Sequence, residues 1–315
     1  MSNRQPMKRK TYRLQVAAEE TELRLDQFLA ARCDGISRGV IRKLVDLGAA
    51  HVKGRRTRKC SLSLRAGDRV DFYIDGLPLT PYRLTEDAVV FQDRHLLVVN
   101  KPAGIDCQPT PSRYKGTMYD AVTDYLKDPL RKDLRPSIGM VQRLDRDTSG
   151  LMVFSIHQAA HKEMTRIFAQ RDVIKRYRVL VEGRMEEPVG TFHTQLARRR
   201  ATNSMKSVAR GGQEAITHYR LIEATDQVSY LEVEIETGRS HQIRAHFSEA
   251  GHPLLGDTRY GGGVMIGDIQ VGRHMLHSHA IAFRHPVTRE QLSFEVDLPV
   301  DMKTVLEKIF GPLDA

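Results

Sequence analysis

The sequence predicts an α+β protein with a β-rich body and a smaller module ahead of it. Three observations predict this. Val141–Ser155, VQRLDRDTSGLMVFS, passes from charged residues through the turn formers Asp147-Thr148-Ser149-Gly150. It ends in the apolar run Leu151–Phe154, which reads as a buried strand. Val173–Gly183, VIKRYRVLVEG, alternates and is β-branched, so it reads as a second strand. Strand character then recurs at 215–224, 228–237, 276–283 and 292–296, with few helical segments between.

Taken in order, residues 1–19 read as a flexible basic arm. Leu25, Phe28 and Leu29 have helical spacing. Ser37 is a good N-cap for a second helix, with Val40, Ile41, Leu44 and Leu47 on one face and Gly48 as its stop. Arg38, Arg42 and Lys43 lie on its polar face. A short strand at 51–53 turns at Gly54 into the basic run Arg55, Arg56, Arg58 and Lys59. Leu64–Val70 closes this module, expected over 20–76, with a turn and a strand.

Pro78 and Pro81 stiffen a linker over 77–85, ahead of a larger domain over 86–312. Val89–Phe91 and Leu96–Asn100 read as a strand pair. Lys101–Ile105 is a turn, and Lys101 is expected to face a phosphate. Helices are expected over 118–126, 159–170 and 301–310. The basic stretch 191–213 reads as a hairpin region suited to a polyanion, with a solvated loop as the plain alternative. A turn at Thr237-Gly238 leads into a helix with Ile243, Phe247 and Ala250 on one face; its N-terminus favours a nearby anion.

The chain carries a net charge of +10 over 315 residues. Residues 1–80 hold 17 Lys and Arg against 9 Asp and Glu, a net +8, so the excess sits in the first quarter. A localised basic excess suggests a polyanion-binding module. No apolar run is long enough for a membrane span, and no apolar segment follows the basic N-terminus as in a secretory signal. Cys33, Cys60 and Cys107 lie far apart. That excludes a disulfide framework and the usual zinc spacings, and it suits a reducing cytoplasm.

Asp145 stands just before a tight turn into a core strand. A carboxylate held in one place is what a nucleophile or general base needs. The plain alternative is that Asp145 or Asp147 only caps the turn.

Two resemblances sharpen this. RLDQFLAARCDGISRGVIRKLVDLGAAHVKGRRTRKCSLSLRAGDRV looks like the small α/β RNA-binding domain named after ribosomal small-subunit protein four. That places Arg38, Arg42, Lys43, Arg55, Arg56 and Arg58 where they would track a phosphate backbone. NKPAGI, RLDRDTSG, KRYRVLVEG and ETGRSHQIRAHFSEAGHPLLGD occur in the order and spacing of the RluA-type pseudouridine synthases, and HSHAIAFRHP extends the match.

This second resemblance implies a mostly antiparallel mixed sheet with flanking helices and a cleft holding Asp145. It implies isomerisation of uridine in RNA on a flipped-out base, with no metal and no cofactor. Asp145 matches the family's catalytic aspartate, acting as nucleophile on sugar or base, or as a base toward the sugar. Arg244 matches the arginine that pairs with it, and Tyr177 the tyrosine whose ring faces the uracil and whose hydroxyl relays a proton. Arg143 and His241 are expected against the RNA. Gln142 departs from the pattern, which has His there; Gln keeps hydrogen bonding but carries no proton.

Large-subunit ribosomal RNA is the favoured substrate and transfer RNA the second, for a cytoplasmic monomer with no membrane partner. The rivals are a metal hydrolase using histidines 241, 246, 252, 274, 277, 279 and 285, and a non-catalytic ribosome-assembly factor. His241 and His246 are five apart and do not share a helix face, which disfavours the first. The set Asp145, Tyr177 and Arg244 is not needed for binding alone, which disfavours the second.

Overall fold

The computed structural model describes residues 7–131 and 134–312. The chain divides into two compact units, Met1–Thr85 with Ile105–Arg135, and Glu86–Gly104 with Pro136–Ala315. The second passage of the first unit lies inside the stretch expected to form part of the larger domain.

In the first unit, β1 (Lys10–Gln15) precedes helices α1 (Leu25–Arg32) and α2 (Arg38–Leu47). Strands β2 (Ala50–Val52), β3 (Arg55–Thr57) and β4 (Arg69–Ile74) follow, and α3 (Met118–Tyr125) belongs to the second passage. The sheet order is β1-β4-β2-β3, all antiparallel. Ser37 Oγ accepts from Val40 N at 3.4 Å, and Gly48 ends α2 at φ 103°.

Leu25, Phe28, Ile41, Leu44, Val70 and Phe72 form the core of this unit. Residues 10–15 are not arm but strand. Tyr12 and Leu14 alternate toward the core while Thr11, Arg13 and Gln15 face out, so the run of cations before them masks a period-2 pattern. Residues 1–6 of the expected arm lie outside the described residues.

The second unit opens with β5 (Val89–Gln92), β6 (Leu96–Lys101), β7 (Gly139–Met140) and β8 (Ser149–Ser155). Helix α4 (Gln158–Ala169) leads to the long strands β9 (Val173–Glu182), β10 (Val189–Arg199), β11 (Ser204–Ser207), β12 (Gln213–Ala224) and β13 (Val228–Ile235). After α5 (Gln242–Glu249), the two-residue strands β14 (Met265–Ile266) and β15 (Ile269–Gln270) pair with each other. Strands β16 (Leu276–Arg284) and β17 (Gln291–Glu295) and helix α6 (Val300–Phe310) close the chain.

The main sheet runs β11-β10-β12-β13-β9-β16-β8-β6-β5, with β17 on β16 and β7 on β8. β16 and β8 run parallel, and the other pairings described are antiparallel. This is the mixed, mostly antiparallel α+β architecture expected.

The sheet has a core on each face. Leu96, Val98, Leu151 and Val153 pack with Met164 and Ile167 of α4 and with Val173. Leu180, Val228 and Tyr230 pack with Met302, Val305 and Leu306 of α6. Val173 and Leu180 are seven apart on β9, so they point to opposite faces. Each fully buried Leu or Val contributes about 1.5–3 kcal/mol relative to exposure.

The strand beginning at Ser149 is buried along its whole length, between β6 and β16. Gly150 makes that possible. Its φ is +112°, and an added Cβ would lie 2.2 Å from the carbonyl oxygen of Ser278, its partner on β16. Gly150→Ala is therefore expected to cost about 2–4 kcal/mol in urea unfolding, from backbone strain and overpacking together. A loss under about 0.5 kcal/mol would contradict this close approach.

Candidate active site

Asp145 sits in the loop that enters β8, and its backbone is held on several sides. Thr148 N–H donates to Asp145 O at 3.1 Å, closing the turn. The next carbonyl, of Arg146, accepts from Gly104 N at 2.9 Å and from Lys101 Nζ at 2.8 Å. Arg273 donates to Asp147 O at 2.9 Å while its far side holds Asp301 of α6.

Arg244 comes from α5, whose start is locked by Gln242. The Gln242 amide accepts from Thr237 Oγ1 at 2.7 Å and donates to Ile216 O and Thr217 Oγ1, each at 2.9 Å. Just before the helix, His241 adopts φ 51°, a left-handed conformation that costs about 1 kcal/mol or more and collects at functional sites. Arg244 Nη1 donates to Asp145 Oδ2 at 2.7 Å. Its Nε and Nη2 donate to the two oxygens of Asp257 at 2.6 and 2.8 Å. The guanidinium thus spans two carboxylates and lies 5.0 Å over the Tyr260 ring. The Tyr260 hydroxyl lies 2.9 Å from His241 Nδ1, and His241 Nε2 lies 3.7 Å from Asp145 Oδ1.

The charges follow from this packing. Burial by itself raises the Asp145 carboxyl, but His241 and Arg244 outweigh burial and hold it below its ordinary value. Burial also lowers His241 from its ordinary value, so the imidazole is neutral near pH 7 and Arg244 is the lasting cation. Asp145 is ionised and, at 22% side-chain exposure, reachable. Tyr177 on β9 is pushed up to about 12 by burial and by the Asp145 charge, against a hydrogen bond with Ser278. It is a phenol at neutral pH.

A cavity of about 270 Å³ opens over these groups, lined among others by Arg143, Asp145, Lys175, Tyr177, His241 and Arg244. It is near the small end of ligand sites.

A sequence model of the RNA pseudouridylate synthase family matches residues 95–249. The chain is also 34% identical over 306 residues to an RNA pseudouridine synthase of Aquifex aeolicus, covering 93% of this chain and 95% of that one. The chain belongs to the RNA pseudouridine synthase family. This synthase is 32% identical to ribosomal large subunit pseudouridine synthase D of Zymomonas mobilis, over 91% of its own length and 93% of the relative's. The solved structure of human RNA pseudouridylate synthase domain containing 4 shares the fold, with a TM-score of 0.57 at 23% identity, over 71% of this chain and 93% of that one.

In the synthase, Arg143, Asp145, Tyr177, His241 and Arg244 all line one cavity. His241 lies inside it, between Asp145 and Tyr260. Lys101 does not face a phosphate. It is 0% exposed and donates to the carbonyls of Pro102 and Arg146, so its role is to hold the Asp145 loop. Gln142 Nε2 donates to Leu151 O at 3.2 Å, a task a neutral amide performs without any titration.

In the first unit, Arg38 is engaged by the buried carboxylate of Asp26 at 2.9 Å, and Arg42 lies 4.0 Å from it. Arg56 donates to the Thr110 carbonyl and is half-buried beside Tyr114. Lys43, Arg55 and Arg58 are exposed. Asp257, Tyr260 and Arg273 escaped sequence reasoning as site residues. The Gly-flanked LLGD turn was the available signal for Asp257.

The histidines do not gather as a ligand set. His246 lies between Thr217 and Thr194, His274 bonds Thr148, His277 bonds Ser149, and His252 donates to Glu182 O. Asp93, His95 and His285 converge, but His285 Nδ1 accepts from Val287 N and Thr288 N. That leaves Nε2 as the N–H of the ring, 3.0 Å from Asp93 Oδ2.

No described helix is long and apolar enough to cross a membrane. Burial pulls His246, His274 and His277 from 6.5 down to about 4. The folded state resists their protonation, so stability is full above pH 6.5 and falls as the pH drops toward 4. Each contributes up to about 1.4 kcal/mol per pH unit. Denaturant midpoints are expected to fall over that window, and His277→Asn to flatten the slope by about one proton. A midpoint independent of pH would refute these buried neutral histidines.

Proposed function

We propose that Asp145 is the nucleophile that detaches uracil from its ribose in structured RNA, large-subunit ribosomal RNA first and transfer RNA second. One observation carries the reading: an ionised, reachable carboxylate in a nucleoside-sized cavity, paired with a cation that a second carboxylate holds in place. Burial weakens the water that would otherwise solvate the carboxylate, and Arg244 keeps it charged.

An Asp145 oxygen bonds to C1′ as the bond from C1′ to N1 breaks; the base turns, and C5 joins C1′ as the bond to Asp145 breaks, which returns the free carboxylate. The proton leaves C5 and N1 gains one, so the step is an isomerisation that consumes no other reactant. Tyr177 presents its ring to the base. Its phenol stays protonated, so it acts by donating or passing on a proton rather than as the first base. The ribosomal target is favoured by the Zymomonas relative, whose printed name is ribosomal large subunit pseudouridine synthase D and which this chain matches over 93% of its length.

The first unit serves as the RNA anchor in this reading, through the exposed Lys43, Arg55 and Arg58, and Arg42 beside them. Its net basic charge supports that role.

Asp145→Asn is expected to abolish pseudouridine formation while RNA binding survives. The measurement is carbodiimide and reverse-transcription mapping of ribosomal and transfer RNA treated with wild type or variant. An active Asn variant removes the nucleophile assignment. A wild-type site in transfer RNA alone removes the ribosomal preference.

Replacing Lys43, Arg55 and Arg58 with Gln together is expected to weaken RNA binding and to reduce the slope of log K against log salt by about 2, near 0.7 per lost phosphate contact. An unchanged slope removes the anchor role.

A further inference from the structure

The chemistry above leaves Lys175 unused. It stands two residues before Tyr177 on β9, so both project from the same face of the strand. Pairing with β13 stops at Arg176–Glu234, one residue short of it, and the cavity opens there. Lys175 lines that cavity yet is only 7% exposed.

Among the described residues it has no hydrogen-bond or ion-pair partner. Its charged neighbours are Arg171 and Arg239, both cations, and burial followed by their repulsion pulls its ammonium down to about 8. Both arginines line the same cavity. Arg171 is fixed by Glu214 Oε2 at 2.7 Å, and Arg239 Nε by Glu214 O at 2.8 Å.

Its Nζ is open to the cavity, and a largely buried ammonium whose donors meet no protein acceptor is costly. Its retention at the wall of a substrate cavity indicates that the acceptor comes with the substrate. A uracil carbonyl would satisfy one donor but bring no negative charge to Lys175 and to Arg239, whose Nε meets only a carbonyl, whereas Arg171 already pairs with Glu214 and lies 3.9 Å from Glu236. RNA carries an anion at every nucleotide.

We propose that Lys175, flanked by Arg171 and Arg239, forms a subsite for a backbone phosphate adjoining the flipped uridine. The contact holds the sugar–phosphate chain while the base and ribose react elsewhere in the cavity. The proposal rests on reading this cavity as the uridine site.

The test is a cycle between protein and phosphate. Full-length wild type and Lys175→Gln are titrated by fluorescence anisotropy with a uridine pentamer. The same is done with pentamers carrying one neutral methylphosphonate linkage at each position in turn. In wild type, one linkage is expected to be sensitive, with binding weakened about tenfold or more, as for a charge-assisted hydrogen bond. Lys175→Gln is expected to lose that sensitivity and to bind with a salt slope shallower by about 0.7.

A flat scan in wild type overturns the subsite. So does a variant as sensitive as wild type, which would hand the phosphate to the arginines. A variant weakened equally on every pentamer overturns it too, since Lys175 would then touch the base. Should Lys175→Gln melt at low temperature, Lys175→Arg replaces it; it is expected to keep the sensitive linkage, and losing it counts against the subsite. The readout is binding alone, so an error in the role of Asp145 leaves it unaffected and appears only in the mapping.

Discussion

The structure of the second unit depends on one guanidinium shared between two carboxylates. Taking Arg244 out of water costs several kcal/mol, and only well-placed acceptors offset it. Asp257, 1% exposed, supplies two. Its fork fixes the plane of the guanidinium and leaves Nη1 for Asp145. The guanidinium beside Asp145 is thus oriented by a carboxylate that does not itself line the cavity.

That arrangement requires three distant stretches to meet. Asp145 and Arg244 are 99 apart in sequence, and Arg244 and Asp257 are 13 apart. Each stretch is locked by polar contacts suited to it. Gln242 ties α5 to β12, Lys101 and Gly104 hold the Arg146 carbonyl, and Arg273 ties the following residue to α6. The parallel contact of β8 and β16 at Gly150 brings the loop close to Ser278, which also bonds Tyr177. The Tyr177 ring and the Asp145 loop are therefore positioned from one junction in the sheet.

The cations divide into those that build and those that remain available. Arg24, Arg38 and Arg42 surround the buried Asp26, where burial would raise the carboxyl but Arg24 and Arg38 keep it below its ordinary value. Arg56 braces a carbonyl. Lys43, Arg55 and Arg58 stay exposed, and Lys175 stays buried without a counter-charge. A basic composition is thus partly internal structure and only partly exposed surface.

The sequence by itself determined the local elements and the motif blocks. The capped helix from Ser37 to Gly48, the buried strand after the DTSG turn and the alternating strand through Tyr177 follow from periodicity and turn chemistry, which neighbouring residues set. The motif blocks singled out Asp145, Tyr177 and Arg244 through their resemblance to the family, and the fold brings all three to one cavity.

The tertiary structure alone decided which charges face what. Lys101 looked exposed beside its turn and is buried, and Lys175 looked like one residue of a strand and lines the cavity. Lys10–Gln15 looked like an arm and pairs with β4. Asp257 carried little local signal and holds the guanidinium. In each case the deciding contact joins residues far apart in sequence. Burial and Coulomb forces act through space, so no local pattern records them.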